Sequence, residues 1–208
     1  MDPSDRWPLP DCPGVRDELV AAYSDSSRGY HDTRHLSEVL DRLDELAGNG
    51  AAYDATPVRL AAWFHDAVYD GERDAEERSA AWAEEALTPV APAPVVAEVA
   101  RLVRLTETHS PDDGDVNGCA LSDADLGILA APRERYDEYA AAVRREYGHL
   151  PDSVSSAGRA DVLRALAGKP QLFHTAYARE RWEAAARANL ARELGTLAGE
   201  TRQLPWPE

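Results

Sequence analysis

The chain has 208 residues, 44% of them hydrophobic, and carries 22 Lys+Arg against 38 Asp+Glu for a formal net charge of −16 at pH 7. One domain of ordinary globular composition fits these values, whereas binders of nucleic-acid backbones or anionic membrane surfaces draw on clustered cations that are lacking here. No apolar run approaches the ~20 residues that span a bilayer, and Met1 to Pro8 has neither the basic nor the apolar part of a leader, so the expectation is a soluble, acidic, cytoplasmic protein.

In chain order, a Pro-rich lead-in over residues 1–13 precedes an almost unbroken series of helical patterns. Helices are predicted over 14–24, 32–47, 57–69, 74–87, 94–109, 119–130, 133–147, 154–167 and 175–200, with a tail over 201–208. Alanine is abundant and alternating strand patterns are absent. Gly48-Asn49-Gly50 closes the second helix, and Thr56-Pro57 opens the third with a cap and a proline at the first helical position. Pro92 and Pro94 open the fifth, and Pro111 to Asp115 reads as a loop. No linker divides the chain and no repeat recurs. The fold class is therefore all-α, a single-domain bundle with its core over 14–200.

Several nucleotide and hydrolase signatures are missing. The sole lysine, Lys169, is followed by Pro170, which excludes a Walker A loop, and neither GxGxxG nor GxSxG occurs. Cys12 and Cys119 cannot build a disulfide scaffold and read as plain thiols.

The informative residues are polar ones on apolar faces. At about 100° per residue, Leu121, Ile128 and Leu129 share a face with Asp125 at its centre, while Asp123 falls almost opposite, toward solvent. A carboxylate on a core-facing stripe needs an arginine partner or a metal. His35 borders the stripe of Leu36, Val39, Leu40, Leu43 and Leu46, as a hydrogen-bonded core residue or a ligand, with His31 one turn earlier. His-Asp-Thr-Arg-His over 31–35 lacks the glutamate of a zinc-protease helix. His65 and Asp66 are adjacent on the third helix, and His109 shares a face with Val95, Leu102 and Leu105. Imidazoles with carboxylates suit a divalent transition metal better than a structural zinc, which usually takes cysteine.

The order His35 … His65-Asp66 … Asp125 resembles the signature of the HD-domain superfamily of metal-dependent phosphohydrolases. Arg28-Gly29-Tyr30-His31-Asp32-Thr33-Arg34-His35 is similar to the Arg-x-Tyr-His-x-x-x-His opening of a predicted-phosphohydrolase subgroup. Ala62 to Asp70, Glu77 to Ala80, Thr106 to His109, Ser122 to Leu126 and Gly158 to Ala160 extend the similarity over about residues 15 to 195. The resemblance implies a helical bundle of the HD-domain type, His35, His65, Asp66 and Asp125 as ligands of one divalent ion (Mn, Fe, Co, Ni, Zn or Mg), and hydrolysis of a small phosphorylated metabolite such as a nucleotide. Ser122 stands where relatives more often carry an apolar residue.

The remaining roles follow from residue chemistry. Asp70, four residues after His65, is expected on the same helix face to orient or deprotonate water, unless it is a turn residue before Gly71. Arg28 is the first choice for a phosphate clamp and Arg159 the second, through bidentate guanidinium contacts, either one otherwise serving in an ion pair. His109 is expected as an acid or substrate contact and His31 as a substrate contact. His149 and His174 are read as structural, and Trp7 and Trp206 as staples of the termini. The alternatives are an HD-fold di-iron oxygenase, whose additional ligands His109 with His31 barely provides, and a non-catalytic metal- or ligand-binding module. No nucleic-acid duplex or membrane partner is expected, and a homodimer is the base-rate oligomer.

Overall fold

The computed structural model describes residues 3–201, all helix and connecting turns with no strand among them; Trp206 and the 202–208 part of the tail lie outside the described residues. No helix among the described residues is long and apolar enough to cross a membrane. The lead-in is itself docked. A short 3-10 turn at Pro3–Arg6 pairs Arg6 with Asp41, and Trp7 is buried edge-on against Trp63, 5.2 Å between ring centroids.

Helix α1 spans Pro13–Tyr23 and α2 spans Thr33–Gly48. Asp32 caps α2 by accepting the backbone N–H groups of Arg34 and His35, which satisfies two of the donors that a helix start leaves unpaired. The predicted stripe from Leu36 to Leu46 is fully buried against α3 (Ala55–Phe64) and α6 (Val116–Leu126). Helices α4 (Ala75–Leu87) and α5 (Ala93–Leu105) pack together, with α5 also on α3. A 3-10 turn, Gly127–Ala130, extends α6 and meets α10 (Glu183–Thr201). Helices α7 (Arg133–Glu146), α8 (Asp152–Gly168) and the short α9 (Ala176–Arg181) complete the array.

Three predicted helices end differently, and in two of them side chains bind backbone groups in the turn that follows the helix. The third stops at Phe64 rather than 69 because the Asp66 N–H goes to the Tyr23 hydroxyl and the Val68 N–H to Ser79 Oγ. Arg28 meanwhile takes the carbonyls of Asp66 and Ala67. The fifth stops at Leu105, and the turn after it carries His109 at φ 47°, in the left-handed region. Lys169 holds that turn by donating to the carbonyls of Thr108 and His109 and to Ser110 Oγ. The last predicted helix divides at Trp182, whose ring packs edge-on against Phe173 and Tyr177.

Asp123 corrects the reading of α6. It is fully buried and accepts the N–H groups of His174 and Thr175 at 2.7 Å each. Residues Gly118 to Ala124 are buried all round, so this helix has no solvent face for Asp123 to occupy. Burial pushes its carboxyl up to about 6, against the lowering effect of those two N–H bonds.

Glycine is needed at position 29. A Cβ there would run into the Ala142 carbonyl oxygen and the Glu146 side chain, so only a bare Cα lets the 28–31 segment lie on α7. Gly29→Ala is expected to cost about 1–3 kcal/mol, the usual penalty of overpacking, read as a lower urea midpoint with an unchanged slope.

Candidate metal centre

Four side chains from three parts of the chain converge beneath a cleft. His35 comes from the first turn of α2 and Asp125 from the last turn of α6. His65 is the residue that terminates α3, and Asp66 follows it. The two imidazoles are buried, their Nε2 atoms 3.0 Å apart. Asp66 Oδ2 stands 3.2 Å from His35 Nε2 and 3.1 Å from His65 Nε2. Ligand atoms of His35, His65 and Asp66 all lie within 4.8 Å of one another, so this trio could hold a metal ion. Asp125 Oδ1 adds to it at 3.3 Å from His35 Nε2 and 3.6 Å from His65 Nε2.

The partners of the outer ring nitrogens bear on whether a cation fits. His65 Nδ1 faces the carbonyl of Ala62 at 2.9 Å, which can only accept. The neutral ring therefore carries its proton on Nδ1 and turns a bare Nε2 lone pair inward. His35 Nδ1 is held by the Tyr30 hydroxyl at 3.0 Å. Outer partners of this kind orient the imidazoles of metal sites. Two inward nitrogens and two carboxylates, buried together, demand positive charge, and a divalent cation meets that demand.

The electrostatics within the cluster point the same way. Burial pulls His35 and His65 down, but the Asp125 and Asp66 carboxylates more than reverse this and leave both raised. Burial drives Asp66 and Asp125 up, and the neighbouring histidines more than offset it, leaving both well below the usual carboxylate range.

His65 and Asp66 reach one point because they are not on a continuing helix. Within a helix adjacent side chains diverge by about 100°; here the chain turns after Phe64. Arg28 makes that turn. Its guanidinium donates to the carbonyls of His31 (2.8 Å), Asp66 (2.7 Å) and Ala67 (2.9 Å) and lies over the Tyr23 ring. This corrects the phosphate-clamp expectation: the guanidinium faces backbone, not the cleft, and Arg28 is a positioning residue. Arg28→Ala is expected to lower stability by about 2–3 kcal/mol, since charged hydrogen bonds are lost and carbonyls left unpaired. Metal affinity should fall with it. Arg28→Lys should recover little, because the planar guanidinium reaches the carbonyls of His31 and Asp66 through one nitrogen and that of Ala67 through another, a spread that a single ammonium nitrogen does not reproduce. Urea unfolding of the metal-free chain and a competitive metal titration read the two effects separately.

The other sequence-predicted residues divide. His31 lines the cleft, stacked 3.9 Å from Tyr69, with Nδ1 held by Glu146 at 2.8 Å. His109 also lines it, its Nε2 3.4 Å from Asp125 Oδ2 and its buried Nδ1 without a hydrogen-bond partner among the described residues. Burial, with help from His65 and Lys169, holds the His109 imidazole below its ordinary value, which disfavours the proton-donor role. Asp70 is not brought to the cluster. It is exposed and bound through both oxygens to Arg78, which holds it well below the carboxylate range, because the helix that was to return it ended at Phe64. Arg159 lines the cleft, but pairs with Glu193 at 2.8 Å and donates to the Tyr139 hydroxyl, so its clamp role is also set aside.

Sequence reasoning missed Tyr23, Tyr30 and Glu146 as parts of the site. Tyr30 stood in the quoted motif, but nothing in its spacing told of a bond to His35. Glu146, 115 residues from His31, carried no local signal at all. Both cysteines are free as expected; burial pushes the Cys119 thiol up to about 11, which makes it a poor nucleophile.

Fold and cluster together define an all-helical protein with a buried His/Asp site able to hold a metal ion. The sequence matches no family model and no curated protein, and the fold matches no solved structure.

Proposed function

We propose that this chain is a metal-dependent phosphohydrolase of the HD-domain type acting on a small phosphorylated molecule. The observation that carries the reading is the convergence of His35, His65, Asp66 and Asp125 beneath a cleft that Asp66, Asp125, His31 and His109 line. A divalent ion bound there supplies a Lewis acid for a phosphoryl oxygen and a water of lowered pKa.

The chain's own residues divide the remaining work. Asp66 and Asp125 would hold an ion together with the two imidazoles and would balance its positive charge, and both carboxylates also line the cleft. His31, held at Nδ1 by Glu146, presents its other nitrogen to a substrate oxygen. A neutral His109 is a hydrogen-bond partner for substrate on the Asp125 side.

The test is phosphate release from a panel of phosphomonoesters by chelator-stripped protein reconstituted with each of Mn, Fe, Co, Ni, Zn and Mg. Metal-dependent release, abolished by the chelator and by His35→Ala, is the expected result. Two irons per chain with oxygen consumption would replace this reading by an oxygenase, and bound metal with no turnover would replace it by a binding module.

A further inference from the structure

The cleft over the metal centre is large, about 1700 Å3, and runs from the cluster between α7, α8 and α10. Away from the cluster its walls include a set of apolar side chains, Ile128, Leu129, Val143, Leu166, Leu194 and Leu197, beside several serines and threonines. The lining also holds seven carboxylates against four cations.

Each of those four cations already has a partner within the chain. Arg159 is taken by Glu193 and the Tyr139 hydroxyl, and its ring contact with Tyr139 fixes the guanidinium plane. Arg144 donates to the carbonyls of Tyr147 and Leu150 and pairs with Asp152. Arg164 pairs with Asp161 at 2.7 Å. Lys169 has all three ammonium hydrogens directed at the 108–110 turn. By contrast, the side-chain carboxylates of Glu76 and Glu107 line the cleft with no ion pair or hydrogen bond among the described residues.

A site for polyphosphates needs arginines or lysines free to meet each anionic group. Here a metal ion at the His/Asp cluster would supply the main unpaired positive charge, and the lining beyond it is largely apolar with carboxylates outnumbering cations. We infer that the cleft takes a phosphomonoester whose organic part is apolar and bears no second anionic group, an alkyl or aryl phosphate, and rejects nucleoside polyphosphates. The phosphoryl end of this inference rests on the phosphohydrolase reading; the apolar end does not.

The experiment is calorimetric titration of the Mn-loaded full chain with methylphosphonate, hexylphosphonate and ADP, beside fluorescence titration of metal-free chain with neutral N-phenylnaphthylamine. Burial of a methylene is worth about fourfold in affinity, so hexylphosphonate should bind at least ~30-fold tighter than methylphosphonate. ADP should bind more weakly than hexylphosphonate, and the naphthylamine should bind without metal. Leu194→Arg, which sets an unpaired cation in the wall, should weaken hexylphosphonate and strengthen ADP. Equal affinity for the two alkyl phosphonates, or ADP binding as tightly as hexylphosphonate, overturns the inference and leaves phosphohydrolysis standing. Tight naphthylamine and hexylphosphonate binding, with no ester hydrolysed under any metal, supports the apolar specificity and removes the phosphohydrolase reading instead.

Discussion

Asp66→Ala is expected to abolish stoichiometric metal binding and lower any metal-dependent turnover by at least about a thousandfold, while leaving the helical circular dichroism unchanged. The fold should survive because what the structure asks of residue 66 is mostly asked of its backbone. Its N–H meets the Tyr23 hydroxyl and its carbonyl receives Arg28, and alanine keeps both. What is lost is the one carboxylate within about 3 Å of both imidazoles, at 3.2 and 3.1 Å. Without it two inward nitrogens share a single acid, Asp125, and the positive charge the cluster can hold falls accordingly. Elemental mass spectrometry on protein purified without chelators reads the result. One ion per chain in the variant would remove Asp66 from the ligand set. In the parent chain, saturation at 100 times Kd should raise stability by about 2.7 kcal/mol, and this increment should be missing from the variant's melting curve.

The second large effect is expected at a residue that touches neither metal nor substrate. Glu146, the last residue of α7, is 5% exposed and sits inside the 29–31 turn. Its Oε1 accepts the N–H groups of Gly29 at 3.0 Å and of Tyr30 and His31 at 2.8 Å, while Oε2 holds His31 Nδ1. Glu146→Gln keeps one acceptor oxygen but must aim an NH2 group either at three N–H donors or at the imidazole. A loss of about 3 kcal/mol follows from leaving buried donors unpaired, or a fall in Tm of roughly 6–12 °C for a chain of this size. The same turn carries Tyr30, whose hydroxyl orients His35, so metal affinity should drop about 10- to 100-fold, the usual effect of disturbing such outer partners.

The pH dependence separates this account from simple loss of packing. Burial pushes the Glu146 carboxyl up, but His31 and the backbone N–H groups more than offset it, leaving it below its ordinary value of 4.5. A lowered folded-state pKa means the unfolded chain binds the proton more readily, so stability rises with pH across that interval. The contribution of Glu146 is therefore complete above about pH 4.5 and is lost as pH falls through the lowered folded value. The stability gap between parent and Gln variant should narrow over that range. A gap that stays constant down to the acid transition would mean the charge is not what holds the turn.

Much of the architecture was legible along the chain. Leu36 to Leu46 recur at helical spacing because one face must be buried, and α2 buries that face in full. Asp125 among Leu121, Ile128 and Leu129 marked a carboxylate that apolar neighbours could not satisfy, and it now stands beside both imidazoles. Such readings succeed because helical periodicity and burial are set by residues a few positions apart.

The tertiary structure decided what depends on distant partners. Where α3 ends was settled by Arg28, Tyr23 and Ser79 reaching across to its last backbone groups, and that early end aims His65 and Asp66 together while sending Asp70 to Arg78. Asp123 is buried because the 174–175 segment before α9 lies against it, which a helical wheel drawn for one helix cannot register. Arginines invite a substrate role in a sequence, yet Arg28 and Arg159 are used up by carbonyls and by Glu193. Periodicity records which side of a helix is apolar; only packing determines which polar groups are already satisfied, and so which remain free to act.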